Sequence, residues 1–291
     1  MREQKRFAII GGGMVGRSLA AALAAHGAPV VAVASRRLES ARACAQAGRC
    51  AFATTDAAEA ARRADAVVLS VPDDAVATVC RQVAEGGGFS PGDVALHLSG
   101  ALGSSSLAAA REQGAYAVAF HPIQTFARPD GALFRRIVCA VEGDPQAVAF
   151  AKELARRLGA RPVEVAAADK ALYHAALCLA CNYLVTLADA GAGLLEEAGF
   201  GQEALHALLP LLRATVANLG AVGLPRALTG PASRGDVATV SAHLEALAVR
   251  APHLLPLYRA AGLRTVEVAR RKGSIGEERA RELEELLSVP Q

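Results

Sequence analysis

The 291-residue chain has no tryptophan, aromatic residues make up only 4% of it, and charged residues only 20%. Hydrophobic residues reach 53%. Few charges on so apolar a chain exclude intrinsic disorder, and a chain of this length can bury an ample core. An excess of one charge is also lacking. Lys and Arg number 31 against 28 Asp and Glu, a net +3, with no clustering that would make a nucleic-acid surface. Lysine itself is scarce, confined to Lys5, Lys152, Lys170 and Lys272, so Arg is the default cation. The first residues, MREQKR, are charged, and the apolar stretch after them is broken by three glycines. No secretory signal is expected from that pattern. Cys44, Cys50, Cys80, Cys139, Cys178 and Cys181 are therefore expected as reduced thiols in a cytoplasmic protein.

One uncharged run, Ala171 to Ala188, is long enough to span a bilayer. It contains Tyr173, His174, Asn182, Tyr183 and Thr186 and is bracketed by Asp169, Lys170 and Asp189. A buried helix between subunits is expected there, not a membrane span.

What the chain does have is an alternation of short β-rich runs with helical stretches. Strands are expected at Phe7–Ile10, Val30–Ala34, Ala51–Ala53, Ala66–Val71, Val94–Leu98, Ala115–Phe120, Ile137–Val141 and Arg161–Val165. Most are continuous apolar runs, as strands covered on both faces should be. The alternation predicts an α/β fold: a doubly wound, mainly parallel Rossmann-type sheet over residues 1–165. From Ala166 the strand signals stop, and Leu/Ala-rich helical segments run on, so 166–291 is expected to be an all-helical substrate and dimerisation domain.

The string Gly11-Gly12-Gly13-Met14-Val15-Gly16 lies between the strand FAII and the helix RSLAAALAAHG. In that setting Gly11 permits a tight turn, Gly13 lets the backbone approach a pyrophosphate, and Gly16 lets helix and sheet pack closely. The N–H groups of Met14 and Val15 open a helix whose positive end suits phosphate. An NAD site places Asp or Glu at the tip of the second strand to bind the ribose 2′-OH. Here the tip reads Ser35-Arg36-Arg37. A hydroxyl with guanidinium groups suits the 2′-phosphate of NADP, though the two arginines also read as a solvated pair opening the next helix. The fourth strand runs into Val71-Pro72-Asp73-Asp74, where the chain leaves the sheet beside the crevice that dinucleotides occupy. Asp73 or Asp74 reads equally as the N-cap of the helix that follows.

Together the strings GGGMVG, LSVPDDAV, HLSGALG, FHPIQTF, DKALYHAALCLACNYLV and LTGPASRGDVATVSAHL, from residue 11 to about 244, resemble a family that joins a Rossmann-like domain to a helical domain of the DUF2520 type. Its members are described as predicted NADP-dependent oxidoreductases. More distantly the layout is similar to pyrroline-5-carboxylate reductase, ketopantoate reductase and 6-phosphogluconate dehydrogenase. The resemblance implies a site between the domains and a homodimer built through the helices.

Hydride transfer from NADPH to a carbonyl leaves an oxyanion, so the protein must supply an acid, an orienting group and often a carboxylate clamp. Lys170 opens the long apolar helix and His174 follows one turn later, about 40° round, on the same face. A lysine entering an apolar segment can be desolvated and lose its proton, which Arg cannot. A helix-end Lys paired with Asp169 is the plainer reading. The 6-phosphogluconate-type pattern has Asn four residues after its Lys. Here His174 holds that position, and Asn182 lies roughly 18 Å along a straight helix and about 120° round, so Asn182 ranks as a pocket residue. Ser99, in the loop after the fifth strand, could bond a substrate oxygen or the nicotinamide amide, or simply shape a turn. His121, before Pro122, resembles the active-site His of prephenate dehydrogenases and reads equally as a structural histidine. In the loop Thr229–Asp236, Thr229 and Arg234 are candidates for substrate binding, Arg234 as a fork onto a carboxylate. Alternatively, Arg234 and Asp236 pair and cap the helix VATVSAHL.

The C-x-x-C pair Cys178 and Cys181 lies mid-helix with no second pair, so small core residues are expected and no metal site. The function expected is NADP-dependent reduction of a small carbonyl or 2-oxo acid, with a non-catalytic NADP(H) sensor as the alternative.

Overall fold

The computed structural model describes residues 5–288. The chain divides into two compact units, Met1–Leu177 and Cys178–Gln291. In the first, a doubly wound sheet alternates with helices: β1 Phe7–Ile10, α1 Met14–Ala25, β2 Val30–Ala34, α2 Leu38–Ala47, β3 Ala53–Thr54, α3 Ala57–Ala61, β4 Ala66–Leu69, α4 Asp73–Glu85 and β5 Val94–His97. It continues with α5 Ala108–Glu112, β6 Tyr116–Pro122, β7 Val138–Gly143, α6 Pro145–Arg157, β8 Arg161–Glu164 and α7 Lys170–Leu177. The strand order is β3-β2-β1-β4-β5-β6-β7-β8. Neighbours are parallel except β6 and β7, which run antiparallel with His121 opposite Ala140 and Ala119 opposite Glu142.

Each expected strand has a counterpart, though the third, expected at Ala51–Ala53, lies at Ala53–Thr54. The apolar runs of β1, β4 and β5 are buried along their whole length, as a sheet sandwiched between helices requires. β8 is largely exposed because it is the sheet's edge, and β3 is only two residues long. Side chains along β5 and β6 alternate between two cores. Leu96, Val118 and Phe120 face one, and Ala95 and Ala117 the other. With the two-residue period of a strand, His97 and His121 continue the second face, so an apolar core wall turns polar at one end.

Division of the chain falls after Leu177, not at 165/166 where the strand signal stops. The intervening turn Ala167–Asp169 and α7 belong to the first unit, with Lys170 buried there.

The second unit is helical: α8 Tyr183–Leu195, α9 Ala204–Val222, α10 Val237–Arg250, α11 Leu255–Lys272 and α12 Glu277–Ser288. Its core joins Val240 and Leu244 of α10 to Val266 of α11 and to Ala280, Leu283 and Leu287 of α12. Asp236 caps α10, its carboxylate accepting from the Thr239 N–H at 3.1 Å and the Thr239 hydroxyl at 2.7 Å. The helical run Ala167–Val222 is long and apolar enough to cross a membrane. Within this chain its apolar side chains are exposed, Leu172 by 74% and Val185 by 69%, so the burial expected for Ala171–Ala188 is not provided by the single chain.

Candidate functional site

A groove of about 980 Å³ opens at the carboxyl ends of β1, β2 and β4. There the strand order reverses between β1's two neighbours, the usual place for a ligand in such sheets. Gly11 leaves β1 with φ +117°, and its N–H donates to the Ala34 carbonyl at 2.8 Å. A Cβ on Gly11 would lie 2.0 Å from the Ser70 carbonyl oxygen, and one on Gly16 2.3 Å from the Gly11 carbonyl oxygen. Gly13 differs, because a Cβ there would meet nothing within 4 Å. Strand, turn and helix are thus locked together by Gly11 and Gly16, while Gly13 and the N-terminus of α1 face open space. That is the cradle a pyrophosphate needs.

Gly11, Gly13, Met14, Ser35, Arg36, Arg37, Val71 and Pro72 all line the groove. Val15 and Gly16 do not: Val15 packs against the core, and Gly16 is closed off by the Gly11 backbone. The geometry adds Arg17 and Ser40. The Arg17 Nε donates to the Gly12 carbonyl at 2.8 Å, which holds the guanidinium at the groove wall. Only its place one turn inside α1 could have pointed to it in the sequence.

A second polar group lies in the same unit, on the sheet face that His97 and His121 continue. His97 is fully buried. Its Nδ1 accepts from the Ser99 N–H at 3.2 Å and its Nε2 lies 3.1 Å from the Gly103 carbonyl. An Nε2–H tautomer satisfies both bonds, and burial holds the ring below the usual imidazole pKa. The Ser99 hydroxyl donates to the Asp73 carboxylate at 2.8 Å and accepts from the N–H groups of Ala101 and Leu102. Its one donor and both acceptor positions are used, so it ties the loop after β5 to the first residue of α4.

The His121 Nδ1 lies 2.6 Å from the Tyr173 hydroxyl, with the two rings edge to face. Burial, and then the nearby charges of Lys170 and His174, push the His121 pKa down to about 4, while burial pushes the Tyr173 phenol up to about 12. Lys170 is only 5% exposed, and its Nζ stands 5.6 Å from the centre of the Tyr173 ring. Burial lowers its pKa, and the carboxylates of Glu142 and Asp73 partly offset that. Glu142 is itself held by the Ser104 N–H at 2.7 Å and the Ser104 hydroxyl at 2.8 Å. Arg111 grips Ser104 in turn and pairs with Asp144 at 3.0 Å. His174 is half-buried one turn beyond Lys170.

The first unit therefore brings together Ser99, His121, Lys170 and His174 from the sequence-expected set. Asp73, which the sequence left open as a helix cap, and Glu142, Ser104 and Tyr173, which it did not single out, join them. Asn182, Thr229 and Arg234 belong to the second unit, where Thr229 and Arg234 are exposed. Asn182 closes a π-helical turn, Cys178–Asn182, so the straight-helix spacing from Lys170 does not hold. Cys181 is exposed and Cys178 half-buried, so neither is a core residue of this chain. The Asp236 carboxylate is spent on the α10 cap rather than on its neighbour Arg234. Among the described residues no three His, Cys, Asp or Glu side chains stand close enough to hold a metal ion.

The chain carries a Rossmann-like domain, matched over residues 2–122, followed by a domain of unknown function, DUF2520, matched over 137–265. Among solved structures it is similar to a "putative NADP oxidoreductase" from Bacteroides fragilis, at 27% identity over 92% of this chain and 99% of that one, TM-score 0.72. The same fold is found in a pyrroline-5-carboxylate reductase from Coxiella burnetii, at 16% identity over 98% of this chain and 99% of that one, TM-score 0.60. It recurs in an NADH-preferring ketol-acid reductoisomerase from an uncultured archaeon, at 17% identity over 97% and 92%, TM-score 0.64. No curated protein matches the chain.

Proposed function

We propose that the chain is an NADP-dependent oxidoreductase that moves a hydride between the cofactor and a small carbonyl or 2-oxo acid, ketopantoate being one candidate. The observation that carries this reading is a single Rossmann unit holding two features. One is a glycine-cradled groove with arginines at the β2 end; the other is a desolvated lysine among carboxylates on the adjoining sheet face. The likeness at 27% identity to the "putative NADP oxidoreductase" over nearly the whole of both chains supports it.

In this reading the N–H groups at the start of α1 hold the pyrophosphate. Ser35, Arg36 and Arg37 hold the 2′-phosphate by charge-assisted bonds. The cofactor, when bound, supplies the hydride. Lys170 places positive charge beside the substrate oxygen as its electron density rises, in surroundings where burial makes a charge count for more than in water. Ser99 and Asp73 fix the loop and helix start that border the reacting centre. The product oxygen must also gain a proton, for which Lys170, His174 and His121 all stand near. NADPH mixed with a panel of 2-oxo acids, ketopantoate included, should be oxidised with at least one of them. Tight binding without turnover of any would favour an NADP(H) sensor.

Changing Arg36 and Arg37 together to Ala should weaken NADPH binding about 10–100-fold, the worth of one or two charge-assisted hydrogen bonds. NADH binding should be nearly unchanged. Equilibrium titration of protein with each nucleotide reads both, and equal loss for the two would remove the 2′-phosphate assignment.

The reading includes a homodimer through α8 and α9 in the cytoplasm, with buried Cys44, Cys80 and Cys139 kept reduced. Tyr183, Val185, Leu187, Leu211, Val216 and Leu219 are all exposed on those helices, and clustered exposed apolar side chains are a common mark of an interaction surface. Sedimentation should give a dimer for the protein and a monomer for Val185→Glu with Leu211→Glu. Neither position belongs to the core of α10, α11 and α12.

A further inference from the structure

Neither His121 nor Tyr173 has a firm place in the scheme above, yet the closest side-chain contact on that sheet face is the one between them. We propose that Tyr173 is the proton donor of the reduction and that His121 passes it the replacement proton, an assignment that rests on the reductase reading.

Among the described residues His121 is the one hydrogen-bond partner of the Tyr173 hydroxyl. Two arrangements satisfy a 2.6 Å contact: the phenol donates to Nδ1, or Nδ1–H donates to the phenol oxygen. In the second arrangement the phenolic hydrogen is unspent and free to point at a substrate oxygen. The imidazole is seated for this. A Cβ on Gly100 would lie 2.7 Å from its Cε1 and 2.9 Å from its Nε2, so the loop after β5 gives it bare backbone to rest on. That loop is held by Ser99, which bonds Asp73, and Asp73 follows Pro72 of the cofactor groove. Lys170 lies one helical turn before Tyr173, its ammonium 5.6 Å from the ring centre.

Protonation states agree with this division of labour. With its pKa near 4, His121 is neutral at physiological pH and has no excess proton of its own to give. With its pKa near 12, Tyr173 keeps its hydrogen, and it remains a stronger acid than the alcohol it would protonate. A neutral imidazole can still relay, releasing the Nδ1 hydrogen while Nε2 takes one from water.

The step balances as follows. The substrate's carbonyl carbon takes the hydride of the reduced nicotinamide and forms a C–H bond. Its C=O π pair passes to oxygen, and that oxygen takes the Tyr173 Oη hydrogen as the Oη–H bond breaks. The phenolate so formed takes the Nδ1 hydrogen of His121 as that N–H bond breaks, Nε2 takes a proton from solvent water, and exchange with solvent then returns the imidazole from its Nε2–H to its Nδ1–H form. One carbonyl, one reduced nicotinamide and one solvent proton become one alcohol and one oxidised nicotinamide, with the tyrosine and the Nδ1–H histidine both restored.

Tyr173→Phe keeps the ring against His121 and removes only the hydroxyl. It should lower kcat about 100-fold or more, the usual worth of a general acid, with KM for the oxo acid changed less than about threefold and the NADPH dissociation constant unchanged by direct titration. Nitrogen-15 NMR of the wild-type protein, with the His121 signal assigned by its loss in His121→Asn, should show Nδ1 protonated and Nε2 bare at neutral pH. A Tyr173→Phe enzyme with wild-type kcat overturns the assignment while leaving the reductase reading intact, and so does an Nε2–H tautomer at His121. Wild-type protein that binds NADPH yet reduces none of the oxo acids and none of a matching panel of small aldehydes and ketones overturns the reductase reading, and the donor with it.

Discussion

Lys170→Met is expected to bind NADPH as the parent does and to lose turnover by about 10²–10³, the cost of removing one preorganised group from a developing oxyanion. The side chain is of similar length, so packing at the start of α7 is preserved and the lost property is charge. The pH dependence gives an independent check. Burial holds the Lys170 pKa below its ordinary 10.5, against the pull of Glu142 and Asp73. If the ammonium is the working form, activity falls as pH rises through that lowered value. Glu142→Gln removes an anion that favours the charged form, so the alkaline fall should begin at lower pH. Lys170→Arg should abolish the fall, because Arg does not titrate in this range, while retaining part of the rate. A rate profile flat to alkaline pH in the parent protein would show that the charge on Lys170 is not what the reaction uses.

Gly11→Ala and Gly13→Ala should have opposite consequences although the two glycines are neighbours in one loop. At Gly11 the backbone has φ +117° and the new methyl would stand 2.0 Å from the Ser70 carbonyl oxygen. Backbone strain of about 1–3 kcal/mol and overpacking of a similar size together give a loss of about 2–6 kcal/mol. Thermal unfolding should read that as a fall in Tm on the order of 10 °C. At Gly13 the methyl meets no atom within 4 Å, so stability should change by no more than about 1 kcal/mol. Its cost should appear instead in nucleotide affinity, because the methyl projects into the cradle. If Gly13→Ala unfolds the protein, or binds NADPH as tightly as the parent, the cradle is assigned to the wrong glycine.

The sheet and the glycine loop were legible in the sequence for a local reason. A buried parallel strand is an unbroken apolar run, and FAII followed by GGGMVG fits strand, turn and helix within a few residues. The reversal of β7 against β6 was not legible, because Ile137–Val141 is equally apolar in either direction. Four members of the polar cluster, Ser99, His121, Lys170 and His174, could be named from the sequence, but its pairings could not. Ser99 meets Asp73 across 26 residues and Ser104 meets Glu142 across 38, and only the folded sheet brings such pairs together. Lys170 could be picked out because lysine is rare in this chain. Tyr173 could not, since a tyrosine in an apolar helix reads as packing until its hydroxyl is seen on His121. The π-helical turn at Cys178–Asn182 defeated the angular argument for Asn182, which assumed 3.6 residues per turn throughout.

The antiparallel pairing of β6 with β7 also bears on how such a chain can be inherited. The Rossmann-like match ends at residue 122 and the DUF2520 match begins at 137, so the seam between them falls in the connection from β6 to β7. Those two strands share hydrogen bonds from Val118 opposite Gly143 to Pro122 opposite Cys139. His121 lies on one side of the seam, and Glu142, Lys170 and Tyr173 on the other. A genetic exchange at the seam would bring a foreign β7 against this β6 and part the imidazole from its phenol. Any exchange at that seam must therefore keep the β6–β7 register if His121 is to meet Tyr173.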